Sequence, residues 1–221
     1  MLDQVVKAYN EAVFDADLDE ALRVVHQAEA DGATPEDIVF KVVLPAMDLM
    51  VQTLEQGGGA SLAQHYMTAH IADVVTTEVM AKFSTPPKAV GRAVIGTAEG
   101  DLHSLGKRIV AGSLKARMVE VFDLGTSVAP ERFVDEAIAR DAQVIAVSAM
   151  MMHTAAGERG ARAIRELLDE RCPDRHIRLV VGGAPYRFNP DLYQAVGADA
   201  WAENGVTAGK VIADMIEEVQ R

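Results

Sequence analysis

The sequence predicts an α/β protein in two parts, an N-terminal four-helix bundle followed by a doubly wound parallel sheet of five strands. In the first 83 residues, apolar side chains recur at helical spacing and no segment resembles a strand. Later, short apolar segments alternate with amphipathic helical segments. The two patterns meet at "STPPKA", whose adjacent prolines favour extended backbone. We therefore predict a bundle over 1–84, a linker over 85–89 and a sheet domain over 90–221.

Capping residues mark the predicted helices of the bundle. "LDQVVKAYNEAVF" is the first helix, and the second begins after Asp17 as its N-cap. The third begins after Thr34 with Pro35 in its first turn, and Pro45 is expected to kink or divide it. After a glycine triplet, "SLAQHYMTAHIADVVTTEVMAKF" is the fourth. Short turns between four helices predict an antiparallel bundle.

The second part alternates strands with helices, which predicts right-handed crossovers and helices on both faces of the sheet. The predicted strands are "RAVIGTA", "RMVEVFDLG", "QVIAVSAM", "IRLVVGG" and "DAWAE". The predicted helices are 104–116, 129–141, 154–171, a short one within 189–198, and 206–220.

Composition excludes several classes of protein. The net charge of the 221 residues is −12 and no cluster of Lys and Arg occurs, which argues against nucleic-acid binding. No apolar run approaches the roughly 20 residues that span a bilayer, and the N-terminus does not resemble a signal peptide. The single cysteine, Cys172, excludes an internal disulfide and a cysteine-based zinc site. We expect a soluble, cytoplasmic protein.

Polar residues and glycines collect where the predicted strands end. In doubly wound sheets, ligands bind beyond the carboxyl ends of the strands, so these residues are expected to line one edge. They are Asp101, His103 and Gly106 after the first strand, Ser148, Met150 and Thr154 after the third, and Gly182 and Gly183 after the fourth.

Two kinds of site fit this edge poorly. "GTAEGDLHSLG" lacks the glycine spacing of a dinucleotide or phosphate loop, and Asp101 would repel a phosphate. Ser148, His103 and Asp101 could form a hydrolytic triad, but no G-x-S-x-G motif is present.

Metal ligation is the third possibility. An imidazole that binds a metal usually donates its other N–H to a carboxylate, and Asp101 stands two residues before His103. The plainer alternative is a polar loop histidine beside a helix-capping aspartate. His65 and His70 lie five residues apart and make a poor ligand pair, so a metal here would bring its own equatorial ligands, as a macrocycle does.

The motifs resemble a known family. "DLHSLG" resembles the D-x-H-x-x-G signature of cobalamin-binding domains, "SAM" at 148–150 stands where that family has S-x-L, and "VGGAP" resembles its glycine pair. Together with "LPAMDLMVQTLEQGGGASLAQHYMTAH", they resemble the corrinoid proteins of methyltransferase systems in methanogens and acetogens, and the cobalamin module of methionine synthase. The run "MMMH" at 150–153 departs from that pattern.

The resemblance implies a Rossmann-like, flavodoxin-like cobalamin-binding domain behind a helical cap. It implies that His103 binds cobalt from the lower face, that Asp101 hydrogen-bonds its other nitrogen, and that Thr154 is the third member of the relay. Ser148 would hydrogen-bond the displaced base of the corrinoid. The remaining predicted cofactor contacts are Leu102, Ser104, Gly106, Met150, Gly182 and Gly183 in the sheet domain, and Leu62, Gln64 and Met67 in the cap.

The function that the resemblance implies is a methyl shuttle. A substrate-specific methyltransferase would load the corrinoid and a second methyltransferase would unload it. A reductive activation protein is a further expected partner. The alternatives are a cobalamin-sensing regulator, which usually carries a DNA-binding module, and the small subunit of a cobalamin-dependent mutase. Neither nucleic acid nor a membrane is expected as a partner.

Overall fold

The computed structural model describes residues 2–55, 61–83, 89–173 and 177–220. Within these ranges it leaves out the side chains of Val51, Leu54, Glu55, Leu62, His65 and Val206. The chain divides into two compact units, Met1–Lys88 with Lys115–Arg117, and Ala89–Leu114 with Met118–Arg221. The predicted linker falls largely on residues outside the described part of the chain, so the predicted domain boundaries stay predictions.

The first unit is helical. Its elements are α1 (Leu2–Phe14), α2 (Leu18–Ala30), α3 (Pro35–Asp37), a π-helical stretch (Ile38–Val43), α4 (Leu44–Glu55) and α5 (Leu62–Met80). The predicted caps are formed: the side chain of Asp17 accepts the N–H of Glu20 at 2.9 Å, and that of Thr34 accepts the N–H of Asp37 at 3.1 Å. Ser61 and Gln64 form a reciprocal capping box at the start of α5.

Pro45 divides its helix by a change of hydrogen-bond register rather than by a break. The π-helical stretch ends two residues before the proline, at Val43, and the N–H of Leu44 donates to the carbonyl of Val39, five residues back. Proline has no N–H to donate, and π-turns, although rare, occur as single turns inside α-helices.

The second unit contains a five-stranded parallel sheet in the order β2-β1-β3-β4-β5, as far as the described residues extend. The strands are β1 (Gly91–Thr97), β2 (Val119–Asp123), β3 (Val144–Ser148), β4 (Arg178–Gly182) and β5 (Ala200–Ala202). The helices are α6 (Leu105–Ala116), α7 (Pro130–Ala139), α8 (Met152–Ala156), α9 (Ala161–Arg171), α10 (Ala184–Phe188), α11 (Leu192–Ala195) and α12 (Gly205–Gln220).

Apolar side chains cover both faces of this sheet, as predicted for a doubly wound fold. On one face, Ile95 and Ala146 pack with Leu114 of α6 and Ile212 of α12. On the other, residues of β1, β3 and β4 pack with Phe133 of α7 and with α9. Successive strand residues alternate between the two clusters because side chains of a strand point alternately to opposite faces.

The single predicted helix over 154–171 was wrong. The structure has two helices there, α8 and α9, and the chain leaves the helical conformation at Gly157. Two glycines, Gly157 and Gly160, stand within four residues, and glycine is a poor helix former. Helix α10, directly after β4, was not predicted.

The strand order determines where a ligand can bind. Strands β1 and β3 are neighbours, while α6 after β1 and α7 before β3 lie on opposite faces of the sheet. This reversal opens a crevice at the carboxyl ends of β1 and β3. Across the described ranges, no helix combines the length and apolarity needed to cross a bilayer.

Candidate functional site

Asp101 lies in the turn after β1, and its carboxylate is fully buried. Its Oδ1 accepts two hydrogen bonds from His103, one from the backbone N–H at 2.9 Å and one from Nδ1 at 2.8 Å. Its Oδ2 accepts the backbone N–H of Met150 at 2.6 Å and the hydroxyl of Thr154 at 3.1 Å. The fold therefore brings together three groups that the sequence separates by up to 53 positions.

These hydrogen bonds decide the charge of Asp101. Burial acts to raise the pKa of its carboxyl group, but the bonds from the N–H groups of Met150 and His103, the His103 ring and the Thr154 hydroxyl outweigh it, and the pKa lies below its usual value. Asp101 is therefore an ionised carboxylate that can only accept hydrogen bonds.

The ionised carboxylate sets the tautomer of His103. Because Oδ1 of Asp101 can only accept, Nδ1 of His103 carries a proton, so Nε2 is the ring nitrogen that can offer a lone pair to a metal. The His103 side chain is 55% exposed. Within the part of the chain that the structure describes, Nε2 makes no hydrogen bond. His103 thus presents an oriented, unoccupied nitrogen at the switch point of the sheet.

The last residues of three adjacent strands lie in one row beside this histidine. Thr97 pairs with Ser148, and Ser148 pairs with Gly182. Gly106, in the first turn of α6, faces this row: a Cβ atom at this position would lie 3.4 Å from the hydroxyl of Ser148. A larger side chain at Gly106 would fill the space between α6 and the strand ends.

The backbone conformation and packing of the fold require a glycine at position 183. Its φ is +118°, a conformation that other residues rarely adopt, and a Cβ atom here would overlap the carbonyl oxygen of Ala149. Gly182 is less restricted, since a Cβ atom there would meet the carbonyl of Ala202 at an ordinary 3.5 Å. Both glycines are predicted cofactor contacts, and that role stays a prediction; the fold itself also requires a glycine at position 183, because two backbones approach closely there.

Large apolar side chains are exposed at the same edge. Leu102, next to His103, is 74% exposed, and Phe188 at the end of α10 is 86% exposed. The others are Leu105, Met150, Met151 and Met152. Exposed apolar side chains clustered at a ligand-binding edge indicate a surface that a bound molecule covers.

A second group of potential metal ligands lies in the helical unit. Among the described residues, His26, Glu29 and Glu78 place ligand atoms within 4.8 Å of one another. The ammonium group of Lys82, however, donates to Glu29 at 2.8 Å and to Glu78 at 3.1 Å. A cation of the protein itself thus already pairs with both carboxylates, and we interpret the group as a surface ion-pair network.

The comparisons with known proteins identify the family. Residues 91–209 match the model of the B12 binding domain. The chain is 34% identical over 202 residues to dimethylamine corrinoid protein 3 of Methanosarcina acetivorans, and this alignment covers 90% of each chain. It is 32% identical to trimethylamine corrinoid protein 1 of the same organism, over 91% of this chain and 92% of that protein. The chain belongs to the cobalamin-binding corrinoid proteins of methyltransferase systems.

A solved structure has a fold similar to that of this corrinoid protein. The methanol:cobalamin methyltransferase complex of Methanosarcina barkeri aligns with a TM-score of 0.76 at 23% identity, over 97% of this chain and 80% of that chain. The predicted Rossmann-like domain with a helical cap and the predicted corrinoid cofactor are therefore confirmed.

The residues of the crevice fit a corrinoid. If a corrinoid binds here, His103 would be the residue that holds its cobalt, through the oriented Nε2 atom. The missing side chain at Gly106 and the exposed apolar residues suit a large flat ring. Ser104 is half-buried at the start of α6, where its carbonyl accepts the N–H of Arg108.

The predicted cap contacts of this corrinoid protein stay predictions. Gln64 uses its amide group within the helical unit, where it accepts the N–H of Ser61 and donates to the carbonyl of Phe14. Met67 is half-buried, and the side chain of Leu62 lies outside the described residues.

Our sequence reasoning missed the residues that hold the turn around Asp101. Thr97, the last residue of β1, and Ser127, in the loop after β2, both bind the backbone of this turn. Arg159 joins Glu99 at 2.7 Å to Glu131 at 2.8 Å on the surface above it. No sequence motif predicts these contacts, since serine, threonine and arginine are common in loops.

Proposed function

We propose that this corrinoid protein carries a methyl group between a substrate-specific methyltransferase and a second methyltransferase, with His103 as the lower axial ligand of cobalt. When bound, the corrinoid supplies the cobalt atom to which the methyl group is attached. Cofactors of this kind carry the chemistry, and the protein orients and tunes them.

One observation carries the assignment of His103. Asp101 accepts Nδ1–H at 2.8 Å, so Nε2 is the nitrogen available for ligation, on a ring that remains more than half exposed at the strand ends. A carboxylate behind a ligating imidazole fixes the ring and increases the basicity of the ligating nitrogen. His153, on α8, is also exposed at this edge but makes no side-chain hydrogen bond to a carboxylate in the described part of the chain.

The neighbours of Asp101 have a supporting role. The N–H of Met150 and the hydroxyl of Thr154 hold Oδ2, so the carboxylate cannot turn away from the imidazole. We infer that this relay keeps the ring in position while the strength of its bond to the metal changes. We further propose that Ser148 hydrogen-bonds the displaced base of the cofactor beside Gly106 and Gly182.

The partners follow from the same proposal. The relatives are named for trimethylamine and for dimethylamine at nearly equal identity, so overall similarity does not select a methyl donor. We propose that the donor is chosen by the substrate-specific methyltransferase, and that a reductive activation protein restores the cofactor after oxidation.

The assignment of His103 is tested by the visible spectrum of the purified protein loaded with methylcobalamin and desalted. We expect His103→Ala to shift the spectrum to that of a corrinoid without imidazole ligation. His153→Ala is the matched control, because it removes an exposed imidazole from the same edge of the sheet, and it should leave the spectrum unchanged.

The outcomes are distinct. If wild type and His103→Ala have the same spectrum, His103 is not the ligand. If His153→Ala shifts the spectrum instead, the ligand is His153 of α8. Transfer of a methyl group from methylcobalamin-loaded protein to a thiol acceptor by an added methyltransferase then tests the shuttle itself.

A further inference from the structure

The turn that carries Asp101 is held from two sides, and only one side belongs to the relay described above. The carboxylate is held from the β3 side by Met150 and Thr154. The main chain is held by Thr97, at the end of β1 itself, and from the β2 side by the loop that follows β2. Because β1 lies between β2 and β3 in the sheet, Asp101 is fixed by both neighbours of its own strand.

Thr97 is the centre of the second set of contacts. Its side chain is completely buried at the end of β1. Its hydroxyl donates to the carbonyl of Asp101 at 2.5 Å and accepts the N–H of Ser127 at 2.9 Å. The hydroxyl thus uses its single proton on the residue that orients His103.

Ser127 completes the arrangement from the loop after β2. Its N–H also lies 2.9 Å from the carbonyl of Asp101, and its hydroxyl accepts the N–H of Gly100 at 3.0 Å. The φ of Ser127 is +51°, in the left-handed region that residues other than glycine and asparagine rarely adopt. A strained residue persists where the surrounding contacts over-determine it, and such residues cluster at functional sites.

We propose that Thr97 and Ser127 are positioning residues, which hold the main chain of Asp101 and thereby keep the His103 imidazole aligned for ligation of cobalt. The inference rests on the proposed role of His103. It assigns to the end of β1 and to the β2–α7 loop a part in setting how strongly the imidazole binds the metal. Neither residue touches the cofactor in this proposal, since both act through Asp101.

A pair of substitutions at Thr97 isolates the hydroxyl. Thr97→Val keeps the shape of the side chain and removes the hydroxyl, whereas Thr97→Ser keeps the hydroxyl and removes the methyl group. In Thr97→Val the carbonyl of Asp101 retains the N–H of Ser127 as a partner, so no buried group is left wholly unpaired. The variant is therefore expected to fold.

The readout is the fraction of cofactor with imidazole bound, measured in the Co(II) form by the nitrogen splitting of its electron paramagnetic resonance spectrum. Loss of one hydrogen bond that aligns the ligand should lower the ratio of imidazole-bound to unbound cofactor about fivefold in Thr97→Val. Thr97→Ser should stay within about twofold of wild type, because it keeps the hydrogen bond. Thermal unfolding of each cofactor-free variant reports its stability separately.

A second variant covers the case in which Thr97→Val does not fold. Ser127→Gly keeps the backbone N–H and relieves the positive φ, while it removes the acceptor for Gly100. We expect a smaller decrease of the imidazole-bound fraction in the same direction.

His103→Ala, measured alongside, separates the two proposals. If His103→Ala shows the same nitrogen splitting as wild type, the proposed ligand is wrong. If it loses the nitrogen splitting but Thr97→Val and Ser127→Gly both match wild type, His103 remains the ligand and the positioning role is overturned. Equal decreases in Thr97→Val and Thr97→Ser would also overturn it, because the effect would then follow the packing of the side chain and not its hydroxyl.

Discussion

Two histidines of this protein contact a carboxylate at the same distance, in different surroundings. Nδ1 of His103 lies 2.8 Å from Asp101, and Nε2 of His26 lies 2.8 Å from Glu78. The side chain of Asp101 is fully buried, whereas that of Glu78 is 39% exposed and is shared with Lys82. Exposed ion pairs contribute little because water and salt screen them, while a buried carboxylate with four donors is held in one position.

The two pairs also differ in the nitrogen that remains available. Asp101 binds Nδ1 and leaves Nε2 of His103 free for a metal, but Glu78 binds Nε2 of His26. A histidine–carboxylate distance alone therefore does not identify a ligand. The two pairs differ in the burial of the carboxylate and in the bonded nitrogen, and the proposal for His103 rests on those differences.

The largest expected difference between the pairs is in stability. Asp101→Ala removes the acceptor of four hydrogen bonds in a buried position and should lower the free energy of unfolding by about 3 kcal/mol, as expected when buried donors lose their partners. Urea denaturation followed by circular dichroism measures it. If Asp101→Ala lowers the free energy of unfolding by less than about 1 kcal/mol, water replaces the carboxylate as acceptor. The buried pair would then contribute no more to stability than the exposed His26–Glu78 pair.

Addition of the cofactor should distinguish the two histidines next. A ligand present at about 100 times its dissociation constant stabilises the folded state by about 2.7 kcal/mol. We expect methylcobalamin to raise the melting temperature of wild type and of His26→Ala equally, and that of His103→Ala less. An equal increase in all three proteins would mean that the imidazole adds nothing to corrinoid affinity.

A smaller effect is expected at Thr154. Thr154→Val removes a hydroxyl whose single proton is shared between Oδ2 of Asp101 at 3.1 Å and the carbonyl of Met151 at 2.9 Å, while Oδ2 keeps the N–H of Met150. The loss should be about 1 kcal/mol in the free energy of unfolding, the usual contribution of one hydrogen bond. Thr154→Ser is the control and should recover most of it, so equal losses in both variants would point to packing of the methyl group.

The smallest effect is expected in the exposed pair. Glu78→Gln should change the free energy of unfolding by less than about 0.5 kcal/mol, and raising the salt concentration should reduce even that. Denaturation of wild type and variant in low and high salt measures both. A loss as large as that of Asp101→Ala would show that the ion-pair network of the helical unit is more than a surface feature.

The sequence predicted the elements of the fold well because their signals are local. Asp17, Thr34 and Ser61 each cap a helix through a side chain that reaches only three residues ahead. The five strands are apolar because both faces of the sheet are covered. The helix predicted over 154–171 was wrong because apolar periodicity resumes after the glycines and hides the interruption.

The candidate site was predictable in part. Asp101, His103 and Gly106 stand together in one short motif, and the strand-end rule joins them to Ser148 and Thr154. The contacts of Thr97 and Ser127 were not predictable, since they depend on strand order and on a positive φ at a serine. The close approach that requires Gly183 likewise involves a backbone 34 residues away, at Ala149.

The sequence by itself thus determined the alternation of elements, the family and the acid–imidazole pair, because each is written in residues that are close together along the chain. Only the tertiary structure decided that Asp101 is buried and ionised, which nitrogen of His103 is free, and which residues hold the turn. Those properties arise from hydrogen bonds between strand ends that are neighbours in the sheet and distant in the sequence, and their strength depends on the exclusion of water that folding alone provides.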